Sequence, residues 1–412
     1  MESGILMSMT DPLAPQEPQR DTLRDAGAVA PLRRDDFDRD VWCLMGLAVD
    51  AADITRAMAE IDDAARTGRK LSFVTPNVNF LVRAAADPAA RREILNADLS
   101  LVDGAPLVMM AKLLGVPVPS RVAGSDLFEA LRRRPGFAGR RLKVFFFGGR
   151  DGAAEAAAEA LNRERGGLEA VGWLNPGFGD VDAMSSDAVI DEINAAEADF
   201  IVVALGAAKG QAWIDRNQGR LTAPVMSHLG AVVDFTAGGV ARAPQWVARA
   251  GLEWAWRIKE EPSLWKRYYK DGLGLARLVL TGLAPQLGRR RLDAAGEAGA
   301  DLEAAPAETI IRLSGDLGHR NLAPVREAFR AAAARGKSVR LDFSGAGRVD
   351  RAFLGQLLML EKHLGRAGAQ IRISGANRNV AALLAANRMR YAPAQAADVS
   401  GADAATARKA AV

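Results

Sequence analysis

The 412-residue chain has few of the residues that build disulfide scaffolds or metal sites. It contains a single cysteine, Cys43, which excludes a disulfide framework and a cysteine metal cluster. The three histidines, His228, His319 and His363, are far apart in the sequence, so a histidine-rich metal site is not expected. Asp180-Val181-Asp182 is the best candidate for a metal-binding DxD pair, but it lies in a Gly/Pro loop where such pairs are common. We therefore predict no metal.

Long apolar runs and targeting signals are missing as well. No run of 18 apolar residues exists, which predicts no membrane-spanning helix, and the N-terminus lacks the charge and apolar pattern of a signal peptide. The sequence therefore predicts a cytoplasmic protein. Its net charge of +4 is small, yet residues 242–291 hold eleven Lys/Arg and only four Asp/Glu. This local excess favours an anionic surface, either a membrane or a nucleic acid.

The length indicates two domains with additional segments. Residues 1–38 and 393–412 lack hydrophobic periodicity, and we predict disordered tails. In residues 39–240, short apolar strands alternate with Ala-rich helical stretches. This alternation predicts an α/β fold, a Rossmann-like parallel sheet with helices on both faces. Ligands of such a sheet are expected at the carboxyl ends of the strands. The predicted strands are Trp42–Leu47, Leu71–Thr75, Leu99–Val102, Leu142–Phe147, Phe200–Ala204 and Val225–Met226.

The C-terminal part has a different pattern. Residues 241–283 combine basic residues with aromatic residues at helical spacing interrupted near Pro262, which predicts a basic, aromatic helical appendage. Residues 284–308 are predicted to be a linker. Residues 309–392 alternate again and predict a small α/β domain with strands at Ile310–Leu313, Val339–Phe343 and Ile371–Ser374.

Polar residues follow two of the predicted strands. Thr75-Pro76-Asn77 offers hydrogen-bonding groups at a strand end, and the alternative is a strand-to-helix turn with Asn77 as the N-cap. Asp103-Gly104 follows the next strand, where a carboxylate beside a glycine suits a general base, and a turn aspartate is the alternative.

Three further motifs contain glycine, and the first two lie between a predicted strand and a predicted helix. Gly148-Gly149-Arg150 could present backbone amides and a guanidinium to a diphosphate, or form a plain turn. In Gly206-Ala207-Ala208-Lys209, the lysine could neutralise a diphosphate or be a solvated surface residue. Ser125 of Gly124-Ser125-Asp126 could cap a helix or contact a ligand. No dinucleotide fingerprint or Walker motif is present, so we predict no bound cofactor, and a nicotinamide-dependent enzyme is only a weak alternative.

Together and in this order, the motifs resemble the WecG/TagA/CpsF family of glycosyltransferases over residues 42 to about 269. They are Thr75-Pro76-Asn77, Asp103-Gly104, Arg121-Val122-Ala123-Gly124-Ser125-Asp126, Phe147-Gly148-Gly149-Arg150, Leu205-Gly206-Ala207-Ala208-Lys209, Gly230-Ala231-Val232-Val233-Asp234-Phe235, Arg242-Ala243-Pro244-Gln245-Trp246 and Gly251-Leu252-Glu253-Trp254-Ala255-Trp256-Arg257. The resemblance implies inverting, metal-independent transfer of a sugar from a UDP-sugar to a polyprenyl-diphosphate-linked saccharide, in exopolysaccharide or envelope polymer biosynthesis. Ala208 stands where the family often has proline, which leaves the donor sugar open.

The resemblance also implies roles for individual residues. Asp103 matches the proposed catalytic base, and Thr75 is assigned to catalysis with it. The expected substrate-binding residues are Asn77, Arg121, Ser125, Asp126, Gly148, Gly149, Arg150, Gly206, Lys209 and Asp234. Arg249, Arg257 and Arg267 are expected to meet the acceptor diphosphate at the inner face of the membrane, and helix packing without membrane contact is the alternative for the appendage. Nucleic acid is not an expected partner, because no recognised module accompanies the charge. Homo-oligomerisation is left open.

The second domain resembles STAS domains through Leu313-Ser314-Gly315-Asp316-Leu317, Leu341-Asp342-Phe343-Ser344-Gly345 and Val349-Asp350-Arg351-Ala352-Phe353-Leu354-Gly355. In phospho-switching members a serine follows the aspartate of the third motif, where this chain has Arg351 and Ala352. The resemblance therefore implies a docking or regulatory module with a protein partner, and a purely stabilising domain is the alternative. A non-catalytic regulatory protein acting through this domain is the second hypothesis for the whole chain.

Overall fold

The structure, a computed structural model, describes residues 35–239, 244, 247, 252–287 and 296–394. Most of both predicted tails, and Arg249, lie outside these residues. At the edge of the first predicted tail, Asp36–Asp38 form a 3₁₀ turn in which Asp36 and Phe37 are buried. At the edge of the second, Ala392–Pro393 form a short strand. These two edges differ from the prediction because each packs against the folded chain.

The prediction of a single strand at Trp42–Leu47 is wrong. The chain instead forms a hairpin of β1 (Val41–Leu44) and β2 (Leu47–Asp50), which pair antiparallel and stand apart from the main sheet. Met45 and Gly46 connect the strands and both have positive φ angles, 54° and 93°. A two-residue hairpin turn requires such angles. The turn was not predicted because it lies within a continuous apolar run.

Six parallel strands form the sheet of the larger domain: β3 (Leu71–Val74), β4 (Leu99–Ser100), β5 (Leu142–Gly148), β6 (Leu168–Leu174), β7 (Phe200–Ala204) and β8 (Val225–His228). Their order in space is β4-β3-β8-β7-β5-β6. β6 was not predicted, because its residues are mostly half-buried and include glycine. The other five strands overlap the predicted ranges.

Helices cover both faces of this sheet: α1 (Ile54–Thr67), α2 (Val78–Ala86), α3 (Pro88–Leu95), α4 (Ala105–Leu113), α5 (Gly124–Arg133), α6 (Ala153–Arg163), α7 (Asp187–Ala195), α8 (Ala207–Asn217) and α9 (Gly230–Thr236). Successive strand residues point to opposite faces. Phe146 accordingly packs in one hydrophobic cluster with α1, α5 and α6, whereas Phe147 packs in another with α7 and α8. The predicted α/β fold with two covered faces is confirmed.

The appendage is helical, as predicted. It comprises α10 (Glu253–Glu260) and α11 (Trp265–Leu278), separated by a 3₁₀ turn at Pro262–Leu264. The chain then continues through a π turn, Val279–Leu283, and a 3₁₀ turn, Ala284–Gln286. α11 packs on α2, where the side chain of Asn79 donates to Asp271 at 3.1 Å.

The second domain has a five-stranded sheet ordered β13-β12-β11-β10-β9. Its strands are β9 (Gly299–Ala304), β10 (Thr309–Leu317), β11 (Val339–Val349), β12 (Ile371–Ser374) and β13 (Ala392–Pro393), and its helices are α12 (Ala323–Arg335), α13 (Arg351–Arg366) and α14 (Arg378–Ala386). β9 pairs antiparallel with β10, and the other neighbours are parallel. β9 lies inside the predicted linker. This edge strand was not predicted because its residues are mostly small or acidic.

Candidate active site

The loops that follow all six strands of the main sheet line one wide cleft at its carboxyl edge. The cleft has a volume of about 2060 Å³, and residues of α10 and α11 form a further wall. A crevice at the carboxyl ends of parallel strands is where this architecture binds ligands. The volume exceeds that of a drug-sized ligand pocket, so it can hold more than one small group at a time.

Asp103 lies on the floor of this cleft. The buried residues Leu101 and Val102 carry the chain out of β4, and the amide of Asp103 donates to the carbonyl of Pro76 at 2.9 Å. Its side chain is 22% exposed. Burial raises the pKa of Asp103 to about 7, against the attraction of Arg121. A carboxylate poised near neutral pH is suited to accept a proton from a substrate hydroxyl.

Arg121 binds the carboxylates around Asp103. Its guanidinium lies 3.8 Å from Asp103, is 2.6 Å from Asp126, and forms an ion pair with Glu253. Burial opposes its charge, but these carboxylates raise the pKa of Arg121 above its ordinary value. Because Glu253 begins α10, the appendage reaches directly into the site that contains Asp103.

The Thr75 loop and α5 meet beside this cluster. The side-chain oxygen of Asn77 accepts from the amides of Asn79 and Phe80, at 3.1 and 3.4 Å, so Asn77 is the N-cap of α2 as well as a cleft residue. Thr75 and Ser125 also line the cleft. The N-cap of α5 is Ala123, which corrects the alternative that Ser125 caps this helix.

The glycine loops have different roles. Gly148 and Gly149 have φ angles of 89° and 104°, which side chains on L-residues rarely adopt. A Cβ on Gly148 would come within 2.9 Å of the carbonyl oxygen of Ala204, and Gly148 is not a cleft-lining residue. The amide of Gly149 donates to that same carbonyl at 2.9 Å, so it is used within the protein. Gly206, in contrast, lines the cleft with open space beside its Cα.

A second charged cluster lies at the Arg150 side of the cleft. Arg150 pairs with Glu261, which also lies 3.8 Å from Arg257. Burial raises the pKa of Asp234, which faces these same groups, above its ordinary value. The guanidinium of Arg257 lies 5.3 Å from the ring centre of Phe235. The structure thus brings two cationic side chains from separate parts of the chain to one side of the cleft.

The remaining predicted site residues, Arg267, Lys209 and Arg249, do not share one location. Arg267 lines the cleft, with its guanidinium 5.0 Å from the ring centre of Tyr268. Lys209 is exposed outside the cleft lining and donates to the carbonyl of Gly179 at 2.8 Å, so it holds the loop that carries the fully exposed Phe178. Arg249 lies outside the described residues.

Glu253 and His228 are among the cleft residues that were not predicted as site residues. Glu253 belongs to one of the family motifs, and the signal for it was an acidic residue in a segment with a net positive charge. His228 ends β8, and burial lowers its pKa to about 4. Its Nε2 makes no hydrogen bond to another described residue. A polar residue at a strand's carboxyl end was the signal for His228, as it was for Asp103.

The described part of the chain has neither a cluster of metal-ligating side chains nor a membrane-spanning helix. Among these residues, no three His, Cys, Asp or Glu side chains are grouped so that they could hold a metal ion. None of the described helices combines the length and the apolar character needed to cross a membrane.

Comparison with known proteins supplies the identity of both domains. The model of the glycosyl transferase WecG/TagA/CpsF family matches residues 42–288. The chain belongs to this family. A second model, described as "Mlab, STAS domain", matches residues 300–390. Both resemblances drawn from the motifs are therefore confirmed, and the protein is a WecG/TagA/CpsF glycosyltransferase with a C-terminal STAS domain.

Two curated relatives of this transferase carry the same activity name, N-acetylglucosaminyldiphosphoundecaprenol N-acetyl-beta-D-mannosaminyltransferase. The relative from Bacillus spizizenii is 31% identical over 47% of this chain and 73% of its own length. The relative from Bacillus subtilis is 27% identical over 55% of this chain and 83% of its own length. Among solved structures, the unphosphorylated anti-sigma factor antagonist SpoIIAA aligns with 28% of this chain and all of its own, at 17% identity and a TM-score of 0.22.

Proposed function

We propose that this transferase moves an N-acetylhexosamine-type sugar from a UDP-sugar to a polyprenyl-diphosphate-linked saccharide, with inversion and without a metal. The observation that carries the proposal is Asp103, a carboxyl group with a pKa of about 7 at the floor of the cleft. Family membership and the activity named for both curated relatives support the same reaction class.

Asp103 is the base in this mechanism. A hydroxyl oxygen of the acceptor sugar attacks the anomeric carbon of the donor from the face opposite the diphosphate. The new carbon–oxygen bond forms as the bond to the diphosphate breaks, and the nucleoside diphosphate leaves with that electron pair. The hydroxyl proton passes to the Asp103 carboxylate. Arg121 lies 3.8 Å from this carboxylate and Thr75 lines the same cleft, and we assign to both the orientation of the reacting hydroxyl.

The cationic side of the cleft receives the leaving group. Arg150 and Arg257 come from different elements and meet at Glu261. Arginine binds phosphate oxygens through two parallel donors, and it does so more strongly where water is partly excluded. We assign Arg150 to the diphosphate of the donor, and Arg257 and Arg267 to the diphosphate of the acceptor. Charge that develops on the leaving diphosphate is then stabilised by fixed protein groups.

The acceptor assignment is supported by the surface of the appendage. Four large apolar side chains on α10 and α11 are exposed by half or more: Trp254, Trp265, Tyr269 and Leu273. Lys266 and Arg267 lie among them, next to the rings of Trp265 and Tyr268. Exposed aromatics beside cations suit the interface of an anionic membrane. We therefore propose peripheral attachment at the inner face of the membrane, where a polyprenyl-linked acceptor is presented for envelope polymer or exopolysaccharide synthesis.

The test is a panel of UDP-sugars, including UDP-N-acetylmannosamine and UDP-N-acetylglucosamine, incubated with polyprenyl-diphosphate N-acetylglucosamine in detergent. We expect UDP release that needs both the acceptor and one donor, and that continues in EDTA. Asp103→Asn is expected to reduce it by roughly 10²–10⁴-fold, the usual contribution of a general base. The matched control is Asp126→Asn, which also removes a partner of Arg121 but not the proposed base. Equal turnover by wild type and Asp103→Asn would refute the mechanism, and absence of release with every donor would refute the assigned donor class.

A further inference from the structure

The STAS domain and the catalytic domain share one hydrophobic core. The cluster that contains Phe353 and Leu357 of α13 also contains Trp42 and Leu44 of the hairpin. α13 is buried on nearly all sides, because one face covers its own sheet and the other covers the hairpin. Twelve of its sixteen residues are buried, so the helix lies in the interior of the folded chain and not at its surface. Its first turn, where a phospho-switching relative would carry the serine, lies inside this contact.

A glycine makes the contact close. A Cβ built on Gly355 of α13 would overlap the backbone carbonyl of Val41 in β1. Gly365, near the other end of the same helix, has no atom within 4 Å of such a Cβ. The two glycines therefore form a matched pair for testing the contact.

Buried charges connect the STAS domain to the strands beneath the active site. Lys362 is fully buried and bonds to Asp36 at 3.0 Å and to Asp98 at 3.2 Å. Asp98 in turn accepts from the amide of Ser72 at 3.0 Å. Ser72 lies in β3 and Asp98 directly precedes β4, and the far ends of these strands lead to Thr75 and Asp103. Removing one partner from such a buried network leaves an uncompensated charge.

The STAS domain also holds the end of the appendage. Gln286 is 1% exposed, and its side-chain oxygen accepts from Arg351 and from Asn387, each at 3.1 Å. Its amide donates back to Gly282 at 2.8 Å. This glutamine therefore ties the 3₁₀ turn that directly follows the appendage to two elements of the STAS domain.

We propose that the STAS domain is a fixed positioning element of the transferase and that its protein partner is the catalytic half of its own chain. By holding Gln286 it fixes α11 against α2, and so fixes the cleft wall that carries Arg267. Donor binding uses loops of the main sheet and does not depend on this wall, whereas use of the lipid-linked acceptor does. The expected change in acceptor kinetics rests on the proposed function, whereas the structural role of the STAS domain does not.

The experiment compares Gly355→Ala with Gly365→Ala in the full-length protein. Hydrogen exchange is measured over residues 265–278, together with UDP affinity and with kcat/KM for the lipid-linked acceptor. We expect exchange about tenfold faster in Gly355→Ala alone, because local opening of the wall becomes easier. We also expect acceptor kcat/KM roughly tenfold lower and UDP affinity unchanged, because the misplaced wall serves only the acceptor.

Gln286→Ala is the second variant, since it loosens the appendage without a backbone clash and keeps the test valid if Gly355→Ala fails to fold. It is expected to show the same exchange and kinetic pattern. The proposal is overturned if Gln286→Ala folds and shows the same exchange rates and the same acceptor kinetics as the wild type. It is also overturned by capture of a partner protein by the wild-type STAS domain at α13 without loss of transfer. If the wild type itself transfers no sugar, the proposed function fails, while the exchange measurement still decides whether the STAS domain holds the wall.

Discussion

Replacing Asp103 by asparagine should inactivate the transferase and also stabilise it at alkaline pH. The folded protein raises the pKa of Asp103 from 3.8 to about 7. A carboxyl group whose pKa is raised by folding favours the native state while it is protonated. That contribution is complete below about pH 4, which is the unfolded value, and is lost as the pH rises through about 7.

The magnitude follows from the shift. Roughly three pKa units at about 1.36 kcal/mol each correspond to about 4 kcal/mol of native-state destabilisation once Asp103 is ionised. The asparagine side chain has nearly the same shape and does not ionise. The free energy of unfolding of Asp103→Asn should therefore equal that of wild type near pH 4 and exceed it by up to about 4 kcal/mol near pH 8.5.

The assay is urea unfolding of both proteins at half-unit steps from pH 4 to 8.5. All other titrating groups are common to the two proteins, so the difference between their unfolding free energies isolates this carboxyl. Asp126→Asn, whose parent side chain is 44% exposed, serves as the control. Two results would contradict this reasoning: a difference in unfolding free energy that does not change with pH, or an Asp103→Asn variant less stable than wild type at pH 8.5. Either would show that the surroundings of Asp103 do not disfavour its ionised form.

Three further predictions address other parts of the molecule. Glu253→Gln should move the midpoint of the kcat/KM profile to lower pH, because the Glu253 carboxylate helps to raise the pKa of Asp103; an unchanged midpoint would contradict the shared cluster. Trp213→Ala should lower the free energy of unfolding by about 3–5 kcal/mol in urea, because the buried ring stacks on Phe147 and its Nε1 donates to Met184; a loss under 1 kcal/mol would contradict this packing. Trp265→Ala should weaken binding to anionic lipid vesicles about tenfold without changing urea stability, and vesicle binding equal to wild type would argue against the appendage as the membrane surface.

The sequence by itself determined the α/β class, the parallel sheet and the edge of the sheet at which the cleft lies. Hydrophobic periodicity is a local property, so short apolar runs such as Phe200–Ala204 give the strand directly. Ordered motifs, including Asp103-Gly104, were sufficient to name the family. Periodicity failed for Trp42–Leu47, because the two positive φ angles at Met45 and Gly46 break an apolar run that has no polar residue at the turn.

Only the tertiary structure decided how the separate motifs combine. The pKa of Asp103 depends on burial and on charges far along the chain, namely Arg121 and Glu253. The placement of Lys209 outside the cleft depends on its bond to Gly179, which no local pattern encodes. The same holds for the STAS domain, whose contact with the hairpin joins Gly355 to Val41 across more than 300 residues. Such long-range contacts are set by the packing of whole elements, and a sequence window contains only one side of each.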